Sequence, residues 1–169
     1  LRWVRHNCSC EVVHFIITWR SSNQNSFQLN HDPLDVNDDV LTIRIGHSPD
    51  PDDAFMFHAL TNGTLDTGNR RYEHVLVDID TLNREAEIGS FEVSAVSIHS
   101  YPKISDSHYL MNCGASMGEG YGPILISKEE MSVEEATRSV IAIPGRSTSS
   151  YLALVLALGE VDVVEVPFD

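Results

Sequence analysis

From Leu41 onward the chain alternates short apolar runs with helical patterns, and this alternation limits the available folds more than any other feature. LTIRIG (41–46) is a strand-like run ending in Gly46, and AFMFHAL (54–60) follows with Phe55, Ala59 and Leu60 on one helical face. YEHVLVD (72–78) is the next strand, and IDTLNREAEIG (79–89) a helix that Asp80 is placed to cap and Gly89 to end. FEVSAVSIHS (91–100) reads as strand, with Val93, Ala95 and Ser97 on one face, and PKISDSHYL (102–110) as a loop or short helix. Two apolar runs then flank a glycine-rich stretch, the second of them strand-like. A helix in MSVEEATR, a strand in SVIAIP, a helix in STSSYLALVLALG and a strand in VDVVEVPF complete the pattern. Strand and helix in turn predict an α/β fold with a mostly parallel, helix-covered sheet.

Residues 1–40 differ in character. VVHFIITW (12–19) is too short for a membrane span of roughly 20 residues, and the polar, turn-rich SSNQNSFQLNHDPLDVNDD follows it. No small-residue cleavage site marks a signal peptide. The expectation is a poorly ordered extension over 1–40, and, from three sparse cysteines and no leader, a cytoplasmic protein with reduced thiols. Cys8 and Cys10 with His6 or His14 form a weak metal reading, since no second cysteine pair accompanies them. The net charge of -14, from 25 acidic and 11 basic side chains, repels a phosphate backbone and argues against nucleic acid as a partner.

In open parallel sheets ligands bind beyond the carboxyl ends of the strands, where helix N-termini gather. Two loops stand out there. In GHSPDPDDAF (46–55), Pro49 and Pro51 stiffen the backbone and delay the helix until the second proline is passed. Asp52 or Asp53 would cap that helix. Capping needs one aspartate, so the surplus leaves room for a carboxylate that meets a ligand. In PGRSTSSYLAL (144–154) a strand ends at Pro144, and Ser147, Thr148, Ser149 and Ser150 open an apolar helix. Its hydroxyls and free N–H groups would cradle a carboxylate or phosphate, although a plain N-cap needs only one of them.

The remaining motifs are weaker. SMGEGYGP (116–123) lacks both dinucleotide spacing and a following Lys-Ser/Thr pair, so close backbone approach explains its glycines better than a nucleotide. His47, His58, His74, His99 and His108 show no zinc-protease spacing, and no resident metal is expected. Ser97, His99 and Ser100 end a strand pointing to the same mouth. No G-x-S-x-G motif or catalytic cysteine context is present.

Taken in order, IGHSPDPDDAF, DIDTLNR, VSIHSYP, GASMGEGYGP and PGRSTSSYL over residues 41–169 resemble the 1,4-dihydroxy-6-naphthoate synthase family of the futalosine route to menaquinone. The resemblance implies a periplasmic binding protein type II-like α/β fold of two lobes. It places an incomplete first lobe at 41–127 and the start of a second, truncated lobe at 128–169. It further implies a lyase that converts cyclic dehypoxanthine futalosine to 1,4-dihydroxy-6-naphthoate, with no metal or organic cofactor. Ser48, Pro49, Pro51 and Asp53 match the family's Ser-Pro-x-Pro-Asn-Asp motif, with Asp52 where asparagine is usual. Ser97 matches a strand-end serine, Thr148 and Ser149 the paired threonines of a carboxylate-binding helix start. Gly114, Gly118, Gly122 and Pro123 match the glycine run.

On this basis Ser48, Asp52, Asp53, Ser97, Thr148 and Ser149 are the expected substrate-binding residues, for a small carboxylate-bearing substrate. The family's catalytic histidine falls in a segment beyond Asp169, so the chain alone is expected to bind without turnover. Neither a nucleic-acid nor a membrane partner is expected, and oligomeric state is open. The alternative is a solute-binding protein of a transporter, with the same fold and no chemistry.

Overall fold

The computed structural model describes residues 12–20 and 40–167. Strands β1 (Val12–Arg20), β2 (Leu41–His47), β3 (Arg70–Leu76), β4 (Val93–Ser97) and β5 (His108–Gly118) form one sheet in the order β3-β2-β4-β1-β5. Strands β6 (Ile141–Ile143) and β7 (Val163–Glu165) form a second, two-stranded sheet. Helices α1 (Pro51–Thr61), α2 (Ile79–Ile88), α3 (Tyr101–Ile104), α4 (Val133–Thr137) and α5 (Ser149–Leu158) are interleaved with them. The chain is thus an α/β protein with parallel pairings at β2–β3, β2–β4 and β6–β7.

The large sheet is mixed, because β1 runs antiparallel to both of its neighbours. This corrects the expectation that all of residues 1–40 are an unstructured extension. Phe15 pairs with Ser97 on one side and Ser116 on the other, and the Thr18 hydroxyl donates to the Ser94 carbonyl at 3.0 Å. Arg20 continues the pairing with its N–H on the Glu92 carbonyl, 2.9 Å away, and its guanidinium on the Gly89 carbonyl at 2.7 Å. These partners lie 69 or more residues along the chain, so the β-rich run VVHFIITW finds its place in the sheet only through distant segments. Cys8, Cys10, His6 and residues 21–39 lie outside the described residues, as does the side chain of His14.

The core sits between β2, β4 and the helices α1 and α2. Ile43, Ile45, Phe57, Leu82, Phe91 and Val93 are buried there together with Ala95. Each large apolar side chain so buried contributes roughly 1.5–3 kcal/mol before entropy is counted. Every residue of β4 is buried, as expected of a strand covered on both faces. Gly46 is required by packing, since a Cβ there would lie 2.6 Å from Phe91 Cδ2 and 2.8 Å from Leu82 Cδ2.

Four local expectations change. Helix α2 is capped by Asp78, whose carboxylate accepts the Thr81 N–H at 3.0 Å, and Asp80 instead sits in the first turn; Gly89 ends the helix at φ 70°. Neither Asp52 nor Asp53 caps α1, whose N-cap position is held by Asp50 without a side-chain bond. The buried face of α1 carries Asp53 and Phe57, whereas Phe55 is 86% exposed. Turning Asp53 inward sets this phase, because residues four apart share a face. Finally, residues 119–132 contain no regular element, so the run after the glycines is not a strand. It has no hydrogen-bonding partner strand among the described residues.

Candidate functional site

The parallel strands β2 and β4 end side by side, with Gly46 in register with Ser94, and this brings the loop after His47 beside the loop after Ser97. Ser48 is buried, and its N–H donates to Asp53 Oδ2 at 2.6 Å. Its hydroxyl accepts the Asp50 N–H at 3.1 Å, closing a small turn held by Pro49 and Pro51. Asp53 is only 1% exposed, and its second oxygen, Oδ1, is buried with no partner in the protein. Burial raises its pKa to about 6 against the Ser48 bonds, with Asp52 and Asp50 adding repulsion. With its pKa at about 6 the group is a carboxylate at neutral pH, and its unpaired Oδ1 is an acceptor suited to a ligand hydroxyl.

On the β4 side, Asn83 of α2 ties the end of β4 to the start of α5. Its Nδ2 donates to Ser97 Oγ at 3.1 Å and to the Ser147 carbonyl at 3.2 Å, while its Oδ1 accepts the Ser97 N–H at 2.8 Å. His99 Nδ1 lies 3.2 Å from the Thr148 carbonyl. Gly145 passes so close to α2 that a Cβ there would overlap the Asp80 carboxylate. The loop before α5 is therefore clamped onto α2 and β4.

Thr148 caps α5. Its hydroxyl donates to the Gly145 carbonyl at 2.7 Å and receives the Tyr151 N–H at 3.3 Å, with Ser150 Oγ 2.9 Å away. One hydroxyl proton and two lone pairs are thereby engaged. That hydroxyl is therefore occupied in capping, and the helix start favours an anion through its dipole. Lys103 Nζ sits 2.8 Å from Ser147 Oγ, and Arg146 lies over the Tyr151 ring and 3.3 Å from Glu165. Each of these two cations also pairs with a carboxylate, Lys103 with Glu87 at 3.5 Å and Arg146 with Glu165.

Of the six residues expected from sequence, the structure places Ser48 and Asp53 on the β2 side and Ser97, Thr148 and Ser149 on the β4–α5 side, all of them buried. Asp52 is exposed. Sequence reasoning missed Asn83, although a signal existed. On the apolar face of α2, formed by Leu82 and Ala86, an asparagine stands where an aliphatic residue would pack. It also missed the buried pair His47 and His74, 3.0 Å apart behind Ser48. No group of three or more His, Cys, Asp or Glu side chains among the described residues is arranged to hold a metal ion. No helix among them is long and apolar enough to cross a membrane.

Residues 43–169 match the sequence profile of a family described as Menaquinone biosynthesis. The chain is 34% identical over 127 residues to a 1,4-dihydroxy-6-naphtoate synthase of Thermus thermophilus, covering 75% of this chain and 46% of that protein. It is 32% identical over 111 residues to the protein of the same name from Streptomyces coelicolor, covering 66% of this chain and 38% of that one. The crystal structure of protein AF1704 from Archaeoglobus fulgidus superposes with a TM-score of 0.70 at 46% identity, over 76% of this chain and 47% of that one. The chain therefore spans less than half the length of each of these relatives. A match across this much of the chain, coinciding with the Ser48–Asp53 loop, the Asn83 clamp and the Thr148 cap, makes the chain a member of the menaquinone biosynthesis family.

Proposed function

We propose that this chain forms one side of a two-lobed, periplasmic binding protein type II-like cleft that binds a carboxylate-bearing naphthoate precursor. The reaction served is conversion of cyclic dehypoxanthine futalosine to 1,4-dihydroxy-6-naphthoate, in the cytoplasm. Residues 41–127 belong to the first lobe and 128–169 to the second. Ser48 and Asp53 meet the ligand from the β2 side. Ser97 and Ser149 meet it from the other, and Thr148 shapes the helix start that receives the carboxylate. Asp52, exposed in the first turn of α1, joins them from the solvent side. This chain is assigned no proton-abstracting base, and the reaction needs one from elsewhere.

The observation that carries the reading is the buried Asp53 Oδ1, which has no partner in the protein, in the first turn of α1 just past the end of β2 and beside β4. A carboxylate at Asp53 accepts from a ligand hydroxyl, and the capped start of α5 favours the ligand's carboxylate. Calorimetric titration of the chain with cyclic dehypoxanthine futalosine tests it. Binding without release of naphthoate is expected. Thr148→Val should weaken that binding about tenfold by dissolving the cap, at a helix cost of about 1 kcal/mol. No binding by the wild type, or equal binding by the variant, overturns the assignment.

A further inference from the structure

His47 and His74 lie directly behind Ser48 and belong to none of the ligand contacts above. His47 ends β2, and His74 stands on β3 opposite Ile45, so the two rings share one sheet face on a diagonal. The rings meet edge to face at 83° with centroids 5.2 Å apart, and Phe57 stacks on His47 at 4.4 Å. His47 Nδ1 lies 3.0 Å from the Ser48 carbonyl and 4.0 Å from Asp53 Oδ2. His47 Nε2 lies 3.0 Å from His74 Nδ1. His74 Nε2 is buried with no partner.

With both rings neutral, these partners permit one arrangement of protons. A carbonyl only accepts, so His47 carries its proton on Nδ1 and its Nε2 must accept. His74 then donates from Nδ1, leaving its Nε2 as a bare lone pair. Burial holds both rings below the usual histidine pKa, consistent with neutral imidazoles. Ser48 is consequently gripped at both of its peptide groups, its carbonyl by His47 and its N–H by Asp53.

We propose that His47 and His74 are positioning residues of the Ser48–Asp53 site, a proton-ordered pair that fixes the backbone of Ser48 and the carboxyl that Asp53 presents to the ligand. The inference rests on the reading of that site as ligand-binding. The pair adds no contact to the ligand. It removes the freedom of the loop that makes the contact, so that ordering is complete before binding.

Imidazole 15N spectra of the labelled chain near pH 7.5 test the arrangement directly. Both rings are expected in the Nδ1–H tautomer, and the Ser48 amide proton far downfield because of its short bond to a carboxyl. His74→Phe keeps a ring but removes the donor. It should release His47 into mixed tautomers, move the Ser48 amide, and lower affinity for 1,4-dihydroxy-6-naphthoate about tenfold. His74→Asn, which restores a donor near the Nδ1 position, should recover most of each effect. An Nε2–H tautomer at His47 in the wild type overturns the proposal, as does equal affinity in the Phe and Asn variants. Should the wild type bind no naphthoate, the assigned function falls, while the tautomers and the Ser48 amide still decide the positioning role. If the Phe variant fails to fold, the wild-type spectra decide it alone.

Discussion

Asp53 and its two histidine neighbours act on stability in opposite directions. The Asp53 pKa is raised to about 6, so the folded state binds more protons than the unfolded one between about pH 4 and pH 6. Its contribution to stability is therefore lost as pH rises through that window, by roughly 2–3 kcal/mol at most. His47 and His74 are held below their ordinary pKa by burial, so protonating them opposes folding and stability falls as pH drops below about 6.5. Comparing the wild type with Asp53→Asn separates these contributions. The variant is expected to match the wild type near pH 4 and to exceed it by about 2 kcal/mol near pH 7.5. Urea midpoints across that range measure it, and a pH-independent difference would contradict the assignment. From sequence, the crowding of aspartates here suggested a ligand-facing carboxylate, but not which aspartate is buried. Asp50, Asp52 and Asp53 are chemically identical, and only the Ser48 N–H distinguishes the last of them.

At the scale of elements, the junction of α2 with the loop before α5 depends on a glycine. Gly145→Ala sets a methyl group against Asp80, and it is expected to destabilise the protein by about 1–3 kcal/mol through overpacking. Truncating the obstacle with Asp80→Ala should shrink that penalty without abolishing it, because the Cβ at position 80 would still lie 2.9 Å from the new methyl group, and a double-mutant cycle on thermal unfolding measures the coupling. Burial raises the pKa of Asp80 against the opposing charge of Arg84, 3.3 Å away, so its replacement alone is expected to cost little. The helices and most strands were legible in the sequence because their causes are local: Gly89 in the left-handed conformation, Ser132 and Glu135 in a reciprocal capping box, prolines before α1. Cap identity was less legible. Asp78 and Asp80 are equally good capping residues two positions apart, and the choice follows from where β3 releases the chain.

For the whole molecule, β1 is the decisive element. It lies outside the residues matched by the family profile, yet it fills the interior of the large sheet between β4 and β5. Without it, each of those strands loses a full ladder of partners, and exposed strand edges recruit other chains. A chain beginning at Val40 is expected to lose its cooperative urea transition or to self-associate at micromolar concentration. Light scattering alongside denaturation checks this, and a monomeric chain unfolding as the full one does would show β1 to be dispensable. Apolar surface elsewhere adds to that tendency, with Leu156 of α5 78% exposed.

By itself the sequence determined the alternation of strands and helices, the stiff loop after β2, the start of α5 and the family to which these belong. Each depends on residues within a turn or two of one another, where propensity, capping and proline geometry act directly. Only the tertiary structure decided that β1 enters the sheet, that Asp53 turns inward, that Asn83 joins β4 to α5 and that His47 meets His74. Those outcomes depend on hydrogen bonds and burial between segments 14 to 106 residues apart, the widest from Val12 to Gly118, except at Asp53, whose partner is near but whose burial is not local. Such energies exist only once the chain has folded and water has been excluded.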